Sequence, residues 1–241
     1  MRINNMCGRR PWENGAVPPP FLSALSKRAR AGFEEIDGYL QVFEPKATIL
    51  RAGDPPESVW LIEEGRVKVI AADARGHEVV VALYSPGSLV GIFEVLDPGD
   101  RIATVRAAER VTARRLPSAA FLGYLREYPE AWEIISRILV RYTRAANRAR
   151  LAHHALSAPQ RLALLLLDLN SGTDTSNASS AMTTPLTRAE LAACIGVSES
   201  TVAAILKRWR QNRIISRNNK LITIDDPTRL WEVAGRPKWI F

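Results

Sequence analysis

Glu199, Ser200, Ala203, Ala204, Lys207 and Arg208 fall on the outer face of a helical pattern, and with Thr201 they offer a carboxylate, two hydroxyls, methyls and two cations to whatever lies against them. Such groups read base edges and grip phosphates in a DNA groove. The opposite stripe of the same segment, Val202, Ile205, Leu206 and Trp209, has the spacing of a buried helix face. Ser198 stands where a helix cap is needed. Upstream, Thr187 and Glu190 have the spacing of a capping box that opens an earlier helix with Leu191 and Ile195 on its inner face. Gly196 supplies the positive backbone angle of a tight turn, and Val197 plugs the space between the helices. Two short helices broken at a glycine form a helix-turn-helix, and Thr187, Arg188 and Ser198 complete the set expected against DNA.

An ordinary helical hairpin shares the cap and the turn but not the continuation. Ile214 to Ile224 reads as two apolar strands joined through Asn218-Asn219, residues that tolerate left-handed turns. A β-hairpin directly after a reading helix makes a winged helix. Lys207, Arg208, Arg210, Arg213, Arg217 and Lys220 cluster there with little acid nearby, a docking surface for phosphates.

The elements that carry this unit lie upstream in a chain of 241 residues, with net charge +8 and a sequence pI near 9.9. That balance favours a polyanionic partner, and the length suffices for two domains. Cys7 and Cys194 are too few for a disulfide framework or an iron-sulfur ligand set, so a reducing cytoplasm is the simplest home. No apolar run approaches bilayer-spanning length; the longest, Leu162 to Leu167, is bounded by Arg161 and Asp168. No membrane partner is expected. Residues 1–20 contain arginines and prolines without a hydrophobic signal core, and are read as a loose tail.

From Tyr39 to Leu116 the pattern is short alternating strands: Tyr39 to Phe43, Thr48 to Arg51, Ser58 to Glu63, Arg66 to Ala71, Glu78 to Tyr84, Ala103 to Ala107 and Thr112 to Leu116. Turns fall at Gly53-Asp54, Glu64-Gly65, Arg75-Gly76 and Pro86-Gly87, with no sustained helix between them. This implies a sandwich or barrel. Residues 129–153 then form an amphipathic run of about seven turns. Trp132, Ile135, Ile138 or Leu139, Tyr142, Ala146 and Ala149 mark it as a dimerisation seam, or else as a face packed on its own domain. Two-fold DNA readers need a dimer to set two reading helices about 34 Å apart. His154 to Pro159 is the expected hinge, with Ser157 capping the next helix, and Asn170 to Thr184 a polar connector.

This order of parts resembles the Crp/Fnr superfamily of bacterial transcription regulators over residues 33–226. The resemblance rests on Gly53-Asp54 with Val59-Trp60-Leu61-Ile62, Gly65-Arg66-Val67-Lys68-Val69, Gly76-His77-Glu78, Pro86-Gly87-Ser88-Leu89-Val90-Gly91, Arg161-Leu162-Ala163, Leu186-Thr187-Arg188, Glu190-Leu191-Ala192, Thr201-Val202 and Ile205-Leu206. It implies an α+β fold: an N-terminal cyclic-nucleotide-binding-like β-roll (residues 21–128), a long dimerisation helix (129–153) and a C-terminal winged helix-turn-helix (154–241).

The resemblance further implies that residues 91–103 cradle a cyclic phosphate with backbone N–H groups and an arginine. Leu89, Gly91, Ile92, Arg101, Ile102, Ala103 and, from the long helix, Asn147 are the matching effector residues. Arg101 and Ala103 keep the family's types, but Ile92 replaces the ribose-binding glutamate and Ile102 a phosphate-donating hydroxyl. Each lost hydrogen bond to a charged group costs about 1.5–3 kcal/mol, so cyclic AMP is weakened by about a hundredfold or more. Arg101 is read equally as a phosphate ligand or as a structural arginine paired with Glu94 or Asp97. The effector is then another nucleotide, another small molecule, or none, and no cofactor or metal is expected from His77, His153 and His154.

The reading helix lacks the family's usual guanine-reading arginines, so Glu199 is set to accept from cytosine, Lys207 to meet phosphate, and Arg188 to position rather than specify. The expectation is a homodimeric DNA-binding transcription regulator that recruits or blocks RNA polymerase and is no enzyme. The alternative is a ligand-binding protein whose C-terminal unit docks other proteins. Trp231 to Phe241 carries no assigned role.

Overall fold

The computed structural model describes residues 21–72, 76, 78–170, 182–218 and 221–235. His77, Lys220, the tip of the wing, most of the polar connector and Trp239 to Phe241 lie outside the described residues, as does the N-terminal stretch read as a tail.

Two short helices come first, α1 (Phe21–Ala24) and α2 (Lys27–Glu34), the second capped by the Ser26 side chain. Neither is foreseen by the strand pattern. Eight strands follow: β1 (Tyr39–Phe43), β2 (Thr48–Leu50), β3 (Ser58–Glu64), β4 (Val67–Ala72), β5 (Glu78–Tyr84), β6 (Leu89–Val90), then, after the one-turn α3 (Phe93–Leu96), β7 (Thr104–Ala107) and β8 (Val111–Pro117). They form two four-stranded antiparallel sheets, β1-β8-β3-β6 and β2-β7-β4-β5.

β3 explains how this roll joins its surroundings. Its first five residues are all buried, because each of its faces is covered. Strand alternation sends Trp60 and Ile62 to the core between the sheets, with Val67, Val105 and Val111. Val59 and Leu61 point the other way, into a layer with Phe33, Phe121 and Leu125 from the helices. Each fully buried side chain of this size contributes about 1.5–3 kcal/mol of transfer free energy.

That helical layer is α2, α4 (Ser118–Glu127) and the first half of α5 (Pro129–Ala155). α5 starts at a proline, favourable because a first-turn N–H has no partner to lose. The apolar stripe read as a dimer seam divides here. Ile135 and Ile138 are buried, and Tyr142 packs in the same layers, so these residues cover their own domain. Trp132, Val140 and Leu151 remain exposed on the opposite face, where Thr143 and Asn147 are exposed as well. At 100° per residue one helix has room for both stripes.

α6 (Ala158–Asn170) begins the C-terminal unit, followed by β9 (Met182–Thr184), α7 (Arg188–Ile195), α8 (Glu199–Gln211), β10 (Ile215–Asn218), β11 (Leu221–Ile224) and α9 (Pro227–Val233). The wing is a three-stranded sheet ordered β10-β11-β9, so the end of the polar connector supplies a strand. Leu162, Leu166, Leu191, Val202, Trp209, Ile222 and Trp231 fill its core, which also takes in Ile70 and Val80 of the roll. Trp231 therefore closes the winged unit as an internal residue of α9 rather than opening a tail. Among the described residues, no single helix is long and apolar enough to cross a membrane.

Candidate nucleic-acid interface and effector cavity

α7 carries the expected capping box. Thr187 Oγ1 accepts from the Glu190 backbone N–H at 3.2 Å, and Glu190 Oε2 accepts from the Thr187 N–H at 2.7 Å. Gly196 closes the helix in left-handed geometry, φ 66° and ψ 47°, which a side chain would penalise. Ser198 caps α8 by accepting from Thr201 N at 3.2 Å, and its hydroxyl lies 2.8 Å from that of Ser200 and 2.9 Å from that of Thr201. Val202, Ile205, Leu206 and Trp209 are buried as the periodicity requires. Glu199, Ser200, Ala204, Lys207 and Arg208 are exposed, Arg188 and Thr187 likewise, and Thr201 is half-buried.

The winged unit is docked on the roll. Lys68 Nζ of β4 donates to both Glu190 oxygens, at 2.7 and 3.0 Å, and Cys194 Sγ donates to the Val80 carbonyl at 3.0 Å. Burial raises the Glu190 pKa, but hydrogen bonds from Lys68 and Thr187 outweigh it and leave the group lowered. Burial pushes the Cys194 thiol up to about 11, so it is an inert core thiol. A cleft of about 960 Å³ separates the two units, lined by Lys46, Thr48 and Arg106 on one side and Arg188, Glu199 and Arg210 on the other. Part of the reading surface thus faces the chain's own sheet, while Ser200, Ala204, Lys207 and Arg208 are outside the cleft.

A second cavity, about 480 Å³, is bounded by the β2-β7-β4-β5 sheet, α3, α5 and α6. Leu89, Gly91, Ile92, Arg101, Ile102 and Ala103 all line it. Asn147 does not; it sits on the exposed face of α5, one residue and 100° beyond Ala146, which reaches the wall. The wall also holds Phe93, Tyr142, Leu165 and Asp168. Burial lifts the Asp168 carboxyl to about 6, against the pull of the nearby Arg148 charge.

Arg101 takes the structural alternative. Only 3% exposed, its Nη1 donates to the Gly91 carbonyl at 2.7 Å and to Glu94 Oε2 at 3.0 Å, and its Nη2 donates to the Ser58 carbonyl. Gly91 permits this close approach: a Cβ there would stand 2.7 Å from Arg101 Nη1 and from Leu50 Cδ1. Ile102 is 74% exposed at the mouth, whereas Ile92 is buried against the helical layer. In sequence Glu94 is one of two candidate partners of Arg101; the turn of α3 brings it also onto the Ile102 backbone N–H, Oε1 accepting at 3.2 Å. Among the described residues no cluster of His, Cys, Asp and Glu is arranged to hold a metal ion.

A β-roll with a cavity against a long helix, followed by a capped, basic winged helix, defines a sensor joined to a DNA reader. The cyclic nucleotide-binding domain family matches residues 40–128 and the Crp-like helix-turn-helix domain family residues 160–233. The CRP-like cAMP-activated global transcriptional regulator of Mycobacterium tuberculosis is 26% identical over 215 residues, covering 89% of this chain and 92% of that protein. The transcriptional activator protein Anr of Pseudomonas protegens is 23% identical over 188 residues, 78% of this chain and 77% of that one. A CRP/FNR-family regulator of Thermus thermophilus shares the fold at a TM-score of 0.65 and 24% identity, over 82% of this chain and 98% of that chain. The c-di-GMP responsive global regulator CLP of Xanthomonas campestris does so at 0.64 and 17%, over 83% and 99%. The chain belongs to the Crp/Fnr family of DNA-binding transcription regulators.

Proposed function

We propose that the chain works in the cytoplasm as a homodimer that reads a two-fold DNA site through α8 and the wing, and so recruits or blocks RNA polymerase. The observation that carries this reading is α8 itself: a helix capped by Ser198, buried along Val202–Trp209, and free to present Ser200, Ala204, Lys207 and Arg208 outward. Glu199 is the candidate acceptor for cytosine N4, Ser200 and Thr201 contact bases or phosphate, and Lys207, Arg208 and Arg188 neutralise phosphates. The exposed stripe of Trp132, Val140, Thr143, Asn147 and Leu151 on α5 is the candidate dimer seam. Full use of the reading surface requires the cleft to open, since Glu199 and Arg188 face the roll when Lys68 holds Glu190.

The alternative of a C-terminal protein-docking module is not favoured by the family matches. Measuring affinity for genomic DNA fragments across a salt series separates the two. A DNA reader loses affinity steeply as salt rises, because each phosphate contact releases counterions. A shallow or absent slope contradicts the proposal.

A further inference from the structure

The effector cavity has the family's place but not a phosphate site's chemistry, and Glu94 is the reason. A cyclic phosphate needs an arginine and backbone N–H groups. In this chain the arginine and one backbone N–H of the cassette are already engaged by a carboxylate of α3: Glu94 Oε2 takes Arg101 Nη1 at 3.0 Å, and Oε1 takes the Ile102 N–H at 3.2 Å. Two further guanidinium bonds go to the Gly91 and Ser58 carbonyls, while the buried Nε has no partner. An incoming phosphate would have to expel Glu94, itself buried, or bring a second anion beside it, and either is strongly opposed in a site shielded from water.

Most of the remaining wall is apolar: Leu50, Val69, Phe93, Ala146, Leu165 and Leu169 among others. Tyr84 and Tyr142 stand at its side with rings 5.4 Å apart. The Asp168 carboxylate on α6 faces the Arg148 charge. Roughly 480 Å³ accommodates a compact organic molecule of drug-like size.

We propose that this cavity binds an uncharged, mainly apolar small molecule, and that Glu94 permanently fills the phosphate subsite as an internal counter-ion to Arg101. The ligand would touch the roll, α5 and, through Leu165 and Leu169, the first helix of the winged unit, so its presence is felt where the two units meet. This rests on the reading of the chain as an effector-controlled regulator, but its test needs no DNA.

The test is titration of the full-length protein with N-phenyl-1-naphthylamine, a neutral fluorophore, with cyclic AMP as competitor. Saturable binding of one probe per chain is expected, undisturbed by millimolar cyclic AMP, and Ala149→Trp, which fills the cavity from the face of α5 that carries Tyr142, weakens it at least about tenfold. Displacement by micromolar cyclic AMP overturns the proposal. So does probe binding that is unsaturable or indifferent to Ala149→Trp, which would place the probe on another surface. Glu94→Gln adds a second readout: with Lys207→Ala and Arg208→Ala in both backgrounds, to remove phosphate sites on the exposed helix, inorganic phosphate is expected to raise the melting temperature of the Glu94→Gln variant more than that of its Glu94 counterpart, the counterpart showing only the general salting effect of the ion. Equal stabilisation of the two by phosphate overturns the proposal, as does saturable phosphate binding at the Glu94 counterpart's cavity if the Glu94→Gln variant does not fold. Loss of DNA binding with these results intact would instead break the functional reading.

Discussion

The reading unit and the effector cassette share the family's backbone but treat their charges in opposite ways. Around α8 the cations Lys207, Arg208 and Arg188 are exposed, while hydroxyls and a glycine handle the helix ends. Around α3 the arginine is turned inward, tied to Glu94 and two carbonyls, and what the cavity shows is mostly carbon. A matching residue type therefore does not ensure a matching role. Arg101 keeps the family's identity and serves as a strut; Lys207 lacks the family's guanine-reading pattern around it and remains available to a partner.

The largest test of that contrast is Arg101→Ala. It strands a buried carboxylate and two carbonyls, and is expected to destabilise the ligand-free protein by about 3–5 kcal/mol in denaturant unfolding. An arginine waiting for a ligand would cost little in the ligand-free protein, so a loss under about 1 kcal/mol contradicts the strut role.

Asp168→Asn comes next. The parent's carboxyl is raised from 3.8 to about 6, so the folded state holds the proton more tightly than the unfolded chain. Its contribution is present below about pH 4 and is lost as pH rises through about 6. Parent stability relative to the asparagine variant is expected to fall across that window by about 2–3 kcal/mol, read from urea midpoints at each pH. A difference that stays flat would show that the cavity wall does not desolvate this group.

Lys68→Met probes the join between the two regions. With Glu190 left without its cation, undocking of the winged unit is expected to become easier by about 1 kcal/mol. Amide exchange in α7 should quicken by about fivefold while that in β3 is unchanged. Equal exchange in parent and variant would mean that this pair does not hold the cleft shut. The smallest effect on stability is expected for Lys207→Ala, within about 0.5 kcal/mol, because the side chain is exposed. Its signature is in binding: weaker DNA affinity across sequences and a salt slope shallower by about one. An unchanged slope removes Lys207 from the phosphate contacts.

Much of the reading unit was legible because its rules are local. The Thr187–Glu190 box, Gly196, Ser198 and the Val202–Trp209 stripe depend on neighbours within one or two turns, and each lies where spacing placed it. What escaped depends on distance. β9 takes its meaning from pairing with β11 about forty residues on, β6 is two residues long, and Lys68–Glu190 joins positions 122 apart. α1 and α2 lay in a stretch without strand alternation, so they left no mark on a reading built on strands. In the cassette, Glu94 was visible as a neighbour of Arg101 in sequence, yet only the turn of α3 brings its carboxylate onto both Arg101 and the Ile102 N–H. Ile135, Ile138 and Tyr142 show the limit of periodicity: it found an apolar stripe but not whether a second copy or the chain itself covers it.

The most direct measurement is selection and sequencing of genomic fragments bound by the purified protein, with and without cyclic AMP. A common two-fold motif, enriched equally in both conditions, is the predicted result for a DNA reader whose phosphate subsite is filled from within. Enrichment only when cyclic AMP is present would contradict it, because Arg101 would then have to leave Glu94 for the ligand.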